Sequence, residues 1–143
     1  MNDAPQQWIR GEYLVSTDRD RLDLEAALAL LRTTFWASTI PVAVLARAVE
    51  NSLAFGLYQG STLIGFARVV TDRATYGYVT DVVVAESHRN AGLGRWLTEC
   101  VIAHPDLQNL RRLTLLTRDA RTLYERCGFE VGPDEAHVYM ERR

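Results

Sequence analysis

Apolar and polar positions change period several times along the chain, and each change marks an element. EYLVS, residues 12–16, reads as a first strand. In DRDRLDLEAALALLRTTFW, Leu24, Leu28 and Leu31 recur with helical spacing, and acids precede them where the helix dipole favours negative charge. After the short link ASTI, Pro41 suits the first turn of a second helix through Ala48, where its missing amide costs nothing. SLAFGLYQG and GSTLIGFARVVT read as two strands joined at Gln59-Gly60-Ser61. A further turn, Asp72-Arg73-Ala74, leads into TYGYVTDVVVAE, a long β-rich run. Helical spacing resumes from about Gly92 to Ala103 and stops at His104-Pro105. RLTLLT predicts a short buried strand, DARTLYERCGF a short helix ending at Gly128, and HVYMERR a last strand. The order β-α-α-β-β-β-α-β-α-β is mixed α+β and not the regular alternation of a doubly wound sheet.

Composition narrows the class. The 143 residues contain no repeat, low-complexity tract or linker, so one domain spanning 1–143 is expected, long enough to bury a substantial core. A hydrophobic content of 48% and a charged content of 24% are ordinary for a soluble protein. No apolar run approaches the roughly 20 residues of a membrane span. The start, MNDAPQQWIRGEY, lacks the basic and apolar regions of a secretory leader, so cytoplasmic residence without a membrane partner is expected. Cys100 and Cys127 show neither metal-ligand spacing nor a disulfide framework, and no metal is expected. A net charge of −2 argues against a nucleic-acid partner. Arg89, Arg95, Arg111, Arg112, Arg118, Arg121 and Arg126 nevertheless cluster in the second half. They are either a solvated surface or the rim of a site for an anion.

The stretch HRNAGLGRW, residues 88–96, sits between a strand and a helix, where backbone amides commonly hold phosphates. A dinucleotide fingerprint would need a third small residue, but Arg95, Trp96 and Leu97 follow Gly94. A P-loop would need Lys and Ser/Thr after its last glycine, and Arg-Trp stands there. What remains is Arg-x-x-Gly-x-Gly at Arg89–Gly94. Glycines without Cβ let amides approach an anion, the first amides of the next helix lack intrahelical partners, and Arg89 and Arg95 add charge.

TDVVVAESHRNAGLGRWL resembles, over its whole length, the strand, turn and helix that hold the acetyl-CoA diphosphate in the GCN5-related N-acetyltransferase (GNAT) family. TLLTRDARTLYERCGFE is similar to the family's second signature, a strand followed by A-x-x-L-Y-x-x-x-G-F. With the preceding strands and two N-terminal helices, the resemblance covers nearly the whole chain. It implies a central, twisted, mostly antiparallel sheet flanked by about four helices. The family's fourth and fifth strands, here TYGYVTDVVVAE and RLTLLT, are expected to splay and admit the acetyl-pantetheine arm.

The resemblance implies acetyl-CoA as co-substrate and a primary amine, on a small molecule or a peptide, as acceptor. It places Val82, Val83 and Val84 along the pantetheine through their backbone, and Arg89, Asn90, Ala91, Gly92, Leu93, Gly94 and Arg95 around the diphosphate. Tyr124 matches the family tyrosine near the thioester sulfur and would protonate the leaving thiolate, since a phenol stays protonated at neutral pH. The glutamate that histone-type members carry eleven residues before the turn motif corresponds here to Tyr78. Asp81 is the nearest carboxylate on that strand and is the candidate proton acceptor, directly or through water. Phe35 and Trp36, in the segment between the first two helices, are candidates for the acceptor wall or for ordinary core anchors. Two other readings stand beside this one: a non-catalytic acyl-CoA sensor or scaffold, and a transferase for another acyl-CoA. The family also suggests a homodimer through the C-terminal strand.

Overall fold

Two short strands, β1 (Gln7–Arg10) and β2 (Tyr13–Ser16), form a hairpin whose turn passes through Gly11 at φ +59°. The computed structural model describes residues 4–132 and 136–143. Two helices follow, α1 (Leu24–Leu31) and α2 (Val42–Glu50). The Asp23 carboxylate caps α1 by accepting from the Ala26 amide at 3.1 Å, and Pro41 stands at the N-cap of α2. Strands β3 (Leu53–Gln59), β4 (Thr62–Thr71) and β5 (Tyr76–Val84) form an antiparallel meander. Asp72 fixes the β4–β5 turn: its carboxylate accepts from the amides of Ala74, Thr75 and Tyr76, and Arg73 takes a left-handed φ of +62°. Helix α3 (Leu93–Ile102) carries the chain back to β6 (Arg112–Leu115), which is followed by α4 (Arg121–Arg126).

The sheet order is β1-β2-β3-β4-β5-β6, antiparallel throughout except for the parallel pair β5·β6. Alternation along the strands sends side chains to two cores. On one face, Ala27, Leu28 and Leu31 of α1 and Leu45 and Val49 of α2 pack on Ala54, Phe66 and Val83. On the other, Leu93, Leu97, Cys100 and Val101 of α3 cover Val15, Phe55, Leu57, Ala67, Val69 and Val79. The mixed, mostly antiparallel architecture predicted from the sequence is the one observed, with β1 as an additional leading strand.

Two strand expectations are corrected. HVYMERR is not a strand: residues 137–143 carry no regular structure, and Val138, Tyr139 and Met140 are largely exposed. Its apolar run has strand propensity, but such propensity acts only against a paired neighbour, and no ladder reaches it. RLTLLT is a strand but not a buried one. Among the described residues β6 pairs on one side only, so its residues are partly exposed and Leu116 beyond it is 63% exposed.

Side chains crowd the β5·β6 pairing at Gly77. A Cβ on Gly77 would sit 2.7 Å from Leu113 Cδ1, and the two residues are register partners. Core density is concentrated at Phe55, which is fully buried and packs beside Trp8 and His104. Phe55→Ala is expected to lower unfolding free energy by about 3–5 kcal/mol, read from urea denaturation.

Candidate active site

The sheet opens where β5 leaves β6. Their parallel ladder runs from Tyr76/Arg112 to Val79/Leu115 and stops there, so Thr80–Val84 continue without a partner on that side. A bulge on the other edge of β5 accompanies the divergence. Register partners Arg68/Thr80 and Phe66/Val83 leave Asp81 and Val82 facing the single residue Ala67. Asp81 takes up the extra length with a left-handed φ of +57°, which a non-glycine residue adopts only when its surroundings enforce it.

Those surroundings are visible. Asp81 is 8% exposed, and Arg68 Nε and Nη2 donate to its Oδ2 at 3.0 and 2.9 Å. The Trp36 indole Nε1 donates to its Oδ1 at 3.1 Å. A buried carboxylate thus has a guanidinium on one oxygen and an indole on the other, which compensates its desolvation. The same bond fixes Trp36, on the α1–α2 connection, to the bulge.

Between the diverging strands lies a cleft of about 710 Å³. Phe35 and Trp36 line it on one side, Leu115–Ala120 and Tyr124 on the other, and Tyr78–Val82 form its floor. Phe35 and Trp36 stack edge to face at 5.1 Å and are 57% and 48% exposed. Tyr124 lies against Phe129 with centroids 6.0 Å apart, and its hydroxyl has no hydrogen-bond partner among the described residues. Burial, then the nearby Cys127 thiol and Asp119 carboxylate, push its pKa above the ordinary tyrosine value, so it carries its proton throughout the neutral range.

The glycine turn closes the strand-to-helix junction. A short 3₁₀ turn at Glu86–His88 precedes it, with His88 Nε2 2.7 Å from Gln59 Oε1. Asn90 and Gly92 are left-handed, at φ +65° and +76°. Gly92 is the N-cap of α3 and makes no side-chain cap, and the Trp96 amide closes the first helical bond on its carbonyl. The amides of Leu93, Gly94 and Arg95 therefore precede the hydrogen-bonded ladder. A Cβ on Gly92 would meet nothing within 4 Å, so the surface above the turn is open. Arg89 Nε donates to the Val84 carbonyl at 3.0 Å, and Arg95 pairs with Glu99 along α3.

A splayed strand pair and an uncapped, glycine-bounded helix entry are the features that comparison with known proteins has to explain. The model of the acetyltransferase (GNAT) domain matches residues 50–131. A protein of Gibberella zeae is 37% identical, over 84% of this chain and 80% of its own length. The chain belongs to the GNAT acetyltransferase family. A solved GNAT family structure from Xanthomonas campestris pv. campestris is 42% identical, with a TM-score of 0.84 over 92% of both chains. Both of these relatives carry the words "putative acetyltransferase" in their names. A GNAT acetyltransferase of Streptococcus pneumoniae, 20% identical, shares the fold with a TM-score of 0.67 over 92% of this chain and 98% of its own.

Within this GNAT domain the sequence-derived residues fall into two groups. Phe35, Trp36, Asp81, Val82 and Tyr124 line one cleft. Val83 and Val84 continue β5 beyond it, toward the turn at Arg89–Arg95. Sequence reasoning missed Arg68 and Asp119, and named Arg118 only as one member of an arginine cluster that could rim an anion site. Arg68 is 13 residues from its partner Asp81, and only the bulged register brings them together. Among the described residues no group of His, Cys, Asp and Glu side chains could hold a metal, and no helix is long and apolar enough to cross a membrane.

Removing Arg68 leaves a buried carboxylate without its cation. Arg68→Ala is expected to cost roughly 3 kcal/mol or more of stability, whereas Asp81→Ala, which removes the acceptor of the Trp36 indole, is expected to red-shift fluorescence as Trp36 loses its anchor. Urea denaturation and emission spectra read the two effects.

Proposed function

We propose that this GNAT domain binds acetyl-CoA along the free side of β5 and transfers its acetyl group directly to a primary amine entering past Phe35 and Trp36. The observation that carries the reading is convergence. The unpaired segment Thr80–Val84, the unpartnered Tyr124 hydroxyl and the aromatic pair share one opening, with the glycine turn at the end of the same strand.

The residues fit the co-substrate. The backbone of Val82, Val83 and Val84 lies on the strand that has lost its neighbour, and can pair with an extended amide-bearing arm as a further strand would. At the turn, the amides of Leu93, Gly94 and Arg95 with the side chains of Arg89, Asn90 and Arg95 suit a diphosphate, and Gly92 and Ala91 keep the approach open. Acetyl-CoA supplies the activated thioester. Amides of the β5 segment polarise its carbonyl in the manner of an oxyanion site. Tyr124 gives its proton to the sulfur as the amine attacks, and its raised pKa keeps the donor proton in place.

Asp81, the sequence candidate for the base, receives a different role here. Its two oxygens already accept from Arg68 and Trp36, so its assignment is to hold the bulge and the aromatic wall. The amine attacks in its neutral form, the proton its nitrogen sheds once the C–N bond has formed leaves to water through the open cleft, and Tyr124 regains its own proton from the same water. The C-terminal segment that suggested dimerisation supplies no strand.

Tyr124→Phe is expected to leave acetyl-CoA affinity within about twofold and to lower kcat by about a hundredfold. Any loss of wild-type activity through tyrosine ionisation should fall at higher pH than an ordinary tyrosine would give, because the raised pKa keeps the phenol protonated further into the alkaline range. Unchanged kcat in the variant would remove Tyr124 from the acid role. Gly92→Val imposes a side chain on a left-handed residue at the diphosphate turn. Calorimetry should then detect no acetyl-CoA binding, while the far-ultraviolet circular dichroism stays native.

A further inference from the structure

Charges in the cleft are unevenly used. Asp81 is taken by Arg68 and Trp36. Arg143, at the rim, pairs with Glu141. Arg118 has no hydrogen-bond or ion-pair partner among the described residues, yet it is held in place: its guanidinium carbon lies 3.6 Å from the centroid of the Phe35 ring. Stacking fixes the plane of a guanidinium while leaving its N–H edge free, so the rotamer entropy of a long side chain is already spent before a ligand arrives. The neighbouring Asp119 makes no ion pair with it. Like Arg118 and Tyr124, it lines the cleft.

Among the described residues the cleft therefore carries an unpaired cation stacked at the aromatic mouth, with the Asp119 carboxylate also in its lining. Resting on the transferase reading above, we propose that the acceptor is a primary amine that also bears an oxyanion, a carboxylate or a phosphoryl group, which Arg118 binds bidentately at the mouth. Asp119 then draws the ammonium end inward, and Phe35 and Trp36 cover the apolar body between the two ends. A planar guanidinium fork matches either oxyanion, whereas a neutral amine would leave it without a partner.

Matched amines test this. Pentylamine, 6-aminohexanoate and 5-aminopentylphosphonate share one chain with amine and oxyanion at opposite ends, and phenethylamine with 4-(2-aminoethyl)benzoate repeats the comparison with a ring. Release of CoA thiol gives kcat/KM for each with wild type, Arg118→Ala and Arg118→Lys. Wild type should prefer the anion-bearing members by about tenfold or more. Arg118→Ala should collapse that ratio, chiefly through KM, and Arg118→Lys should restore part of it. The carboxylate-to-phosphonate ranking identifies the oxyanion. Equal kcat/KM for neutral and anionic amines in wild type, or an equal loss for both in Arg118→Ala, would overturn the inference and leave Arg118 a strut for Phe35. Absence of turnover with every anionic amine, while acetyl-CoA binds, would overturn it as well. Failure of acetyl-CoA to bind wild type in calorimetry would instead sink the transferase reading itself.

Discussion

Asp81 keeps a left-handed backbone and a buried charge because Arg68 and the Trp36 indole both donate to it, and the working surface of the domain follows from that compensation. A bulge at this point gives β5 one residue more than β4 can pair, which increases local twist. β6, already at its last ladder position at Leu115, does not follow. The result is a strand with one satisfied edge and one open edge. An open edge is normally an aggregation hazard, and here it becomes a place for an extended ligand. The same carboxylate fastens the α1–α2 connection to the sheet, so the Phe35–Trp36 segment and the open edge of β5 are held by a single buried cluster.

This arrangement divides the labour across the sheet. One core, beneath α1 and α2, supports the Phe35–Trp36 segment; the other, beneath α3, supports the glycine turn. A transferase needs donor and acceptor to approach from different directions and meet at one atom. In the proposed reaction the two cores would deliver them from opposite sides of β5, with Tyr124 of α4, whose hydroxyl has no partner among the described residues, at the meeting point. Positioning of this kind lowers the barrier by removing the entropy of encounter, without a strongly basic side chain.

Much of this was legible in the sequence, for identifiable reasons. Leu24, Leu28 and Leu31, the Pro41 start, the turns at Gly60 and Asp72 and the glycines at 92 and 94 are local signals, and each marks an element where it was expected. β1 escaped notice because QWIR is short, and most of it is exposed on an edge. HVYMERR misled because propensity was read without a partner strand. The Asp81 environment was illegible for a deeper reason. A one-residue bulge changes which β4 side chain faces β5, and no periodicity in either strand announces it. Arg118 over Phe35 joins segments more than eighty residues apart, so it appears only once the fold closes.

Backbone amide hydrogen exchange with and without saturating acetyl-CoA tests the central claim most directly, because the claim concerns amides. The account predicts slowed exchange on binding at Val82–Val84 and at Leu93–Arg95, with little change in β1 and β2. Protection centred instead on the separate hollow lined by Thr17, Arg19, Ser52 and His104, or none along β5, would contradict it.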